Sequence, residues 1–88
     1  MNAERRKRIE NTKALIWRAH TLLTEAWDNL EEIKDEEQDA YDNLPESFQE
    51  SDRGEAMTEA IENLENAMDL DWDDLINEMV DYLDEAIG

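Results

Sequence analysis

The chain contains no cysteine, one proline and only two glycines among 88 residues. Without cysteine there is no disulfide framework, no thiolate metal site and no cysteine nucleophile. Scarce proline and glycine leave few points at which a helix is forced to stop. No uninterrupted apolar run approaches the roughly 20 residues of a membrane span. The basic amino end is not followed by the apolar stretch of a secretory signal, so the expected compartment is the cytoplasm and no membrane partner is expected. Positive charge is also scarce: eight Lys and Arg stand against 26 Asp and Glu, for a formal net charge of −18. Its placement is uneven. Residues 1–18 carry Arg5, Arg6, Lys7, Arg8, Lys13 and Arg18 against Glu4 and Glu10, a net of +4, whereas residues 19–88 carry Lys34 and Arg53 against 24 acids, a net of −22. Such a body repels nucleic acid and anionic membranes and favours cationic partners, while the amino end has the opposite preference.

What remains is helix. Apolar residues make up 40% of the chain and recur at steps of three and four, which argues against disorder despite the charge. From about Ala3 to Asp42, Ile9, Ile16, Leu23, Leu30 and Leu44 fall on one heptad position, and Thr12, Ala19, Ala26, Ile33 and Ala40 on the other. Leu15 and Leu22 widen this stripe on one side, and Trp27 and Tyr41 on the other, enough to predict more than one neighbour for the helix. Asn43 and Pro45 then disfavour continuation, because proline has no N–H and restricts the residue before it. A hinge over 43–51 is expected, with one short turn through Gln49 and Ser51 as the next N-cap. A second helix is expected over about 52–87, with a weak point at Asp69-Leu70-Asp71 where Asp71 could cap a new start. Numbers of facing residues have a near-constant sum if the two helices fold back on each other, pairing Ile33 with Ile61, Trp27 with Met68 and Ile16 with Met79. The expected fold is all-α: an antiparallel helical hairpin of two long helices forming a single domain over 1–88. Dimerisation as a four-helix bundle is expected through Leu15 and Leu22.

Several chemical readings can be weighed on residue types. Asp69-Leu70-Asp71-Trp72-Asp73-Asp74 opens like a calcium loop, but Asp74 replaces the required glycine and Val80 the bidentate glutamate. His20 is the only histidine and has no nucleophile near it in sequence, so packing is the expectation rather than acid–base chemistry. No catalytic site, metal or cofactor is expected. Trp17 lies away from the predicted seam, where it serves equally as an anchor for a partner or as a rim residue of a dimer. Arg5-Arg6-Lys7-Arg8 opposes the dipole of its own helix, and antiparallel folding would bring it beside Asp81, Asp84 and Glu85. Direct contact of this cluster with nucleic acid is the sharper alternative.

The acidic surface carries the main functional expectation. From Glu55 to Glu85 there are twelve acids and no base, roughly one charge per 4 Å of helix axis, against one about every 3.4 Å along a DNA strand. Glu55, Glu59, Glu62, Asp69, Asp73, Asp81 and Asp84 recur near turn spacing and are the expected partner-binding residues, with Trp17. Glu25, Asp28, Glu31, Glu32, Asp35, Glu36, Asp39 and Asp42 add a second acidic band on the first helix. The bland reading is a solvated face that keeps a small protein soluble.

The segment Asp35-Glu36-Glu37-Gln38-Asp39-Ala40-Tyr41-Asp42-Asn43-Leu44-Pro45-Glu46-Ser47-Phe48-Gln49, with Gly54-Glu55-Ala56-Met57 after it, resembles small acidic proteins of bacteriophage and prophage genomes. The resemblance covers roughly residues 30–68. It implies a phage setting inside a host bacterial cell, where short acidic proteins act against restriction and CRISPR nucleases and small helical proteins serve assembly. The resulting expectation is a nucleic-acid mimic that binds and inhibits a host protein with a basic nucleic-acid-binding groove. The alternative is a homodimeric assembly module without inhibitory activity.

Overall fold

A computed structural model describes every residue from Met1 to Gly88. The chain is all-helical, with 88% of its residues in helices and none in a strand. No helix is long and apolar enough to cross a membrane. Four helices follow one another: α1 (Ala3–Asp42), α2 (Glu46–Gln49), α3 (Asp52–Met68) and α4 (Trp72–Ile87). Asn2 caps the first, its Oδ1 accepting the Arg5 N–H at 2.8 Å. These helices build two compact units. A terminal unit comprises Met1–Glu25 with Asp71–Gly88, and a hinge unit comprises Ala26–Leu70.

In the hinge unit α1 ends before Pro45, which is extended at φ −57° and ψ 147° and has no N–H to donate. Gln49 folds back from α2, and its Nε2 donates to the Tyr41 and Leu44 carbonyls at 3.1 and 3.2 Å. The end of α1 thereby gains partners for acceptors that its own helix leaves open. Ser51 stands at the N-cap position of α3, but its hydroxyl donates to the Phe48 carbonyl and makes no bond to the helix start. Gly54, one turn further, is buried against the backbone of Gln49. A Cβ there would lie 2.7 Å from Gln49 Cα and overlap the Gln49 carbonyl, so α2 and α3 approach at a distance only glycine permits. Ile61 and Met68 are the buried side chains of this unit, and Trp27, Leu30, Tyr41, Met57 and Leu64 are half-buried.

The second long helix expected over 52–87 is broken. α3 stops at Met68, and Asp71 (φ −87°, ψ 54°) has left the helical region before α4 begins. The Met68 carbonyl would bond the next turn in an unbroken helix. Instead it accepts the Trp27 indole N–H of α1 at 3.0 Å. One hydrogen bond from the facing helix thus replaces one within the helix, with small net cost.

In the terminal unit the first part of α1 and α4 run antiparallel. Lys13 meets Asp84, and seven residues further along α1, His20 meets Asp73. Ile76 and Val80 are buried, flanked by half-buried Ile9, Ile16, Trp72, Leu83 and Ile87. Met79, expected to face Ile16 in the seam, is 45% exposed. Within α4 the buried ridge is Ile76 and Val80 instead, while Leu75 and Met79, one position earlier in each turn, are exposed.

The seam along α1 also differs from the expected one. Its half-buried positions are 9, 16 and 30 together with 13, 20, 27, 34, 37, 38 and 41, while Leu23, Thr12, Ala19, Ala26, Ile33 and Ala40 are all exposed. The large Trp27 indole and the polar reach of Lys13 and His20 fill the seam where small residues were expected to do so. No side chain in the chain is completely buried.

Candidate functional site

Helical geometry sorts the surface of each unit into sides. In the terminal unit, Lys13 and His20 lie to one side of the inward line of α1, and Asp84 and Asp73 lie the same way from that of α4. Because the helices are antiparallel, equal rotation brings both sets to one side of the layer, and there they meet. The Lys13 ammonium donates to the Asp84 carboxylate and lies 3.6 Å from Glu10. Its pKa is raised above the ordinary 10.5, chiefly by the hydrogen bond to Asp84, against a smaller opposing effect of desolvation. His20 Nε2 lies 2.5 Å from Asp73 Oδ1. Its ring stacks between Trp17, edge-on at 5.4 Å, and Trp72, tilted at 5.1 Å. Trp17 is therefore 40% exposed, with part of its ring used inside the unit.

Rotation in the opposite sense, again by roughly 100° from each inward line, carries Leu15, Ala19 and Leu22 on α1 and Leu75, Met79 and Tyr82 on α4 to the other side. This side is apolar and open: Leu15 is 63% exposed, Leu22 59%, Leu75 61% and Tyr82 66%. Leu75, Met79 and Tyr82 also line a shallow cavity with Glu78.

The hinge unit has a different surface. Glu55, Glu59 and Glu62 fall on one stripe of α3, which Asp69 at its C-cap continues, at steps of four, three and seven, and all are exposed. Asp28, Glu31, Asp35, Asp39 and Asp42 form the corresponding stripe of α1. The chain reverses at the hinge and Trp27 meets Met68, so the same rotation argument puts both stripes on one side of this unit. None of these nine carboxylates takes part in an ion pair. Each row spans 14 residue steps, so together they present roughly one charge per 2.3 Å of axis, against one per 1.7 Å for duplex DNA.

The seven acids marked in the sequence are thus divided. Glu55, Glu59, Glu62 and Asp69 lie together in the hinge unit, whereas Asp73, Asp81 and Asp84 belong to the terminal unit. There, Asp73 and Asp84 are engaged with His20 and Lys13. In the turn before α4, the Asp71 carboxyl is pushed above its ordinary 3.8, first by its hydrogen bond with Asp74 and then by the charge of that group. Nowhere do three or more His, Asp or Glu side chains converge in a metal-binding arrangement. Leu15 and Leu22 are joined on their side of the terminal unit by Leu75, Met79 and Tyr82, although periodicity along an unbroken second helix puts Leu75 and Met79 in the intrachain seam. The signal for these three was the Asp-rich break, because a helix that restarts at Trp72 need not continue the apolar stripe of the helix before it. No protein family, curated protein or solved structure matches the chain.

Proposed function

We propose that this chain is an acidic inhibitor of a nucleic-acid-binding protein. It would offer the carboxylate strip of the hinge unit where that protein's basic groove takes a phosphate backbone. The observation that carries the reading is the strip itself: nine exposed carboxylates in two rows, free of ion pairs, at a linear density close to that of a duplex. Charges left unpaired on a helical scaffold keep their full field for a cationic partner, and a groove built for phosphates supplies that partner. The resemblance around the hinge points to a phage protein acting inside a bacterial host against a restriction or CRISPR nuclease. Binding is then fast at low ionic strength and weakens as salt screens the strip.

The test is retention of bacterial proteins on the immobilised chain across a salt series. The expected result is capture of a nuclease or other nucleic-acid-binding protein that elutes steeply as salt rises. Recovery only of proteins held equally through high salt contradicts the reading.

The open apolar side of the terminal unit supports a second reading, a homodimeric assembly module. In it, a hairpin of α1 against α3 and α4 pairs with a second copy as a four-helix bundle, and acidity serves solubility alone. Here substitutions at Leu15 and Leu22 matter and changes to the acidic strip do not.

A further inference from the structure

The terminal unit has two unlike helices and one bare side, and together these specify how a second copy would fit. Its interior holds only Ile76 and Val80 as buried side chains, too little to hold two helices on their own. The open side chains of Leu15, Leu22, Leu75, Met79 and Tyr82 leave on the order of 500 Å² uncovered, a patch of the size that marks an interaction surface. Two copies face to face would bury about 1,000 Å² at this patch, near the lower bound for a specific interface. Charge favours the same occupant. The terminal unit carries six bases against ten acids, a net of −4, and the hinge unit two against sixteen, a net of −14. The apolar side therefore sits on the unit where two copies repel each other least.

Charge also selects the orientation. The α1 part of this unit holds all six bases and three acids, while Asp71–Gly88 holds seven acids and no base. Two twofold arrangements can stack the apolar sides. One sets α1 on the partner's α1 and α4 on the partner's α4, opposing like charges. The other sets α1 of each copy on the partner's α4, antiparallel, so that every neighbour in the bundle is antiparallel and every α1 meets acids. The register within the unit follows from Lys13 with Asp84 and His20 with Asp73. Transferred to the partner by the twofold, it sets Arg18 level with Glu78 and Arg8 near Glu85, both at the edges of the apolar side.

We propose that the chain forms a twofold homodimer through this side, with α1 of one copy packed on α4 of the other and Arg18 opposite Glu78 of the second copy. The proposal rests on the bundle reading given above for its dimer alone, fixes which helices meet, and holds whether or not the acidic strip binds a partner. The test is the dimer dissociation constant by analytical ultracentrifugation at about 0.15 M salt, for the wild type, Arg18→Glu, Glu78→Arg and the double variant. Helicity by circular dichroism is checked in each. The expected result is a wild-type dimer, about tenfold weakening for each single variant because two exposed pairs turn repulsive, and recovery to within about threefold in the double variant. Leu22→Glu should give a folded monomer. A monomeric wild type at up to 100 μM on the order of working concentration overturns both this pairing and the bundle reading. A dimer whose strength the single variants do not change, or the double variant does not restore, overturns the α1-on-α4 pairing alone.

Discussion

The two units use the same kind of helix for opposite ends. In the terminal unit two acids are engaged by the chain itself, Asp84 by Lys13 and Asp73 by His20, and the side opposite them is open and apolar. In the hinge unit the packing is done by Trp27, Ile61, Met68 and the glycine-tight corner, and one side carries the strip of unpaired carboxylates, with Ile33, Phe48 and Leu70 exposed elsewhere. Net charge alone hides this division. A chain at −18 looks uniformly acidic, yet the hinge unit holds −14 of it. Acidity that is paired inside a unit stabilises that unit, and acidity left unpaired is available to a partner.

Neutralising each group of acids in turn is the strongest way to break this contrast. Replacing Glu55, Glu59 and Glu62 by Gln and Asp69 by Asn together should weaken capture of the basic partner by about a hundredfold, at somewhat under 1 kcal/mol per charge. Asp73→Asn, Asp81→Asn and Asp84→Asn together should weaken it by less than about tenfold and lower the melting temperature instead. Equal effects on binding, measured by interferometry, would erase the distinction between the units.

A second prediction concerns the corner that holds the hinge unit. Gly54→Ala places a methyl group against the Gln49 backbone, and overpacking of this kind costs about 1–3 kcal/mol. Hydrogen exchange should show the loss over residues 44–60 first, with Ile76 and Val80 amides less affected. Uniform loss of protection would mean that the corner is not a local clamp. Smaller again is Trp27→Phe, which keeps the ring but removes the N–H given to the Met68 carbonyl. A cost of about 1 kcal/mol in urea unfolding is expected, whereas no change would show that this carbonyl finds another donor.

The smallest effect is one of pH. Because the Asp71 carboxyl in the folded chain titrates above its ordinary 3.8, the folded state holds that proton more tightly than the unfolded chain. Its contribution to stability is fully present below the ordinary value and is lost as pH rises through the raised one. Asp71→Asn should therefore flatten the fall in melting temperature across that acid window and leave the profile above it parallel to the wild type. An unchanged slope would remove the Asp71–Asp74 interaction from the account.

How much of this was legible in the sequence depends on the scale of the signal. The helical class is carried by dozens of residues at steps of three and four, and no single exception could hide it. The choice of seam was carried by far fewer. Small alanines at 19, 26 and 40 look like an interface that lets helices approach, but Trp27 and the long side chains of Lys13 and His20 fill the line beside them, and the alanines stay outside. The inward ridge of α4 depended on the backbone angles of Asp71. Leu75 and Met79 continue the α3 stripe if the helix is unbroken, but α4 starts afresh and buries Ile76 and Val80. Propensity marked Asp69-Leu70-Asp71 as weak, but the indole of Trp27, which takes the freed carbonyl, lies 41 residues away in sequence. The acidic strip was legible as charge but not as a place. Its separation from Asp73 and Asp84 required knowing that Lys13 and His20 reach across to them.

The central claim is that the hinge strip occupies a phosphate-binding groove, and mutual exclusion tests it most directly. The captured partner, bound to the labelled chain at fixed low salt, should be titrated with duplex DNA and, separately, with guide-type RNA while anisotropy is followed. The account predicts full displacement by at least one of the two, with the chain and the nucleic acid never bound together. A stable ternary complex, with anisotropy unchanged or raised at saturating nucleic acid, would contradict it.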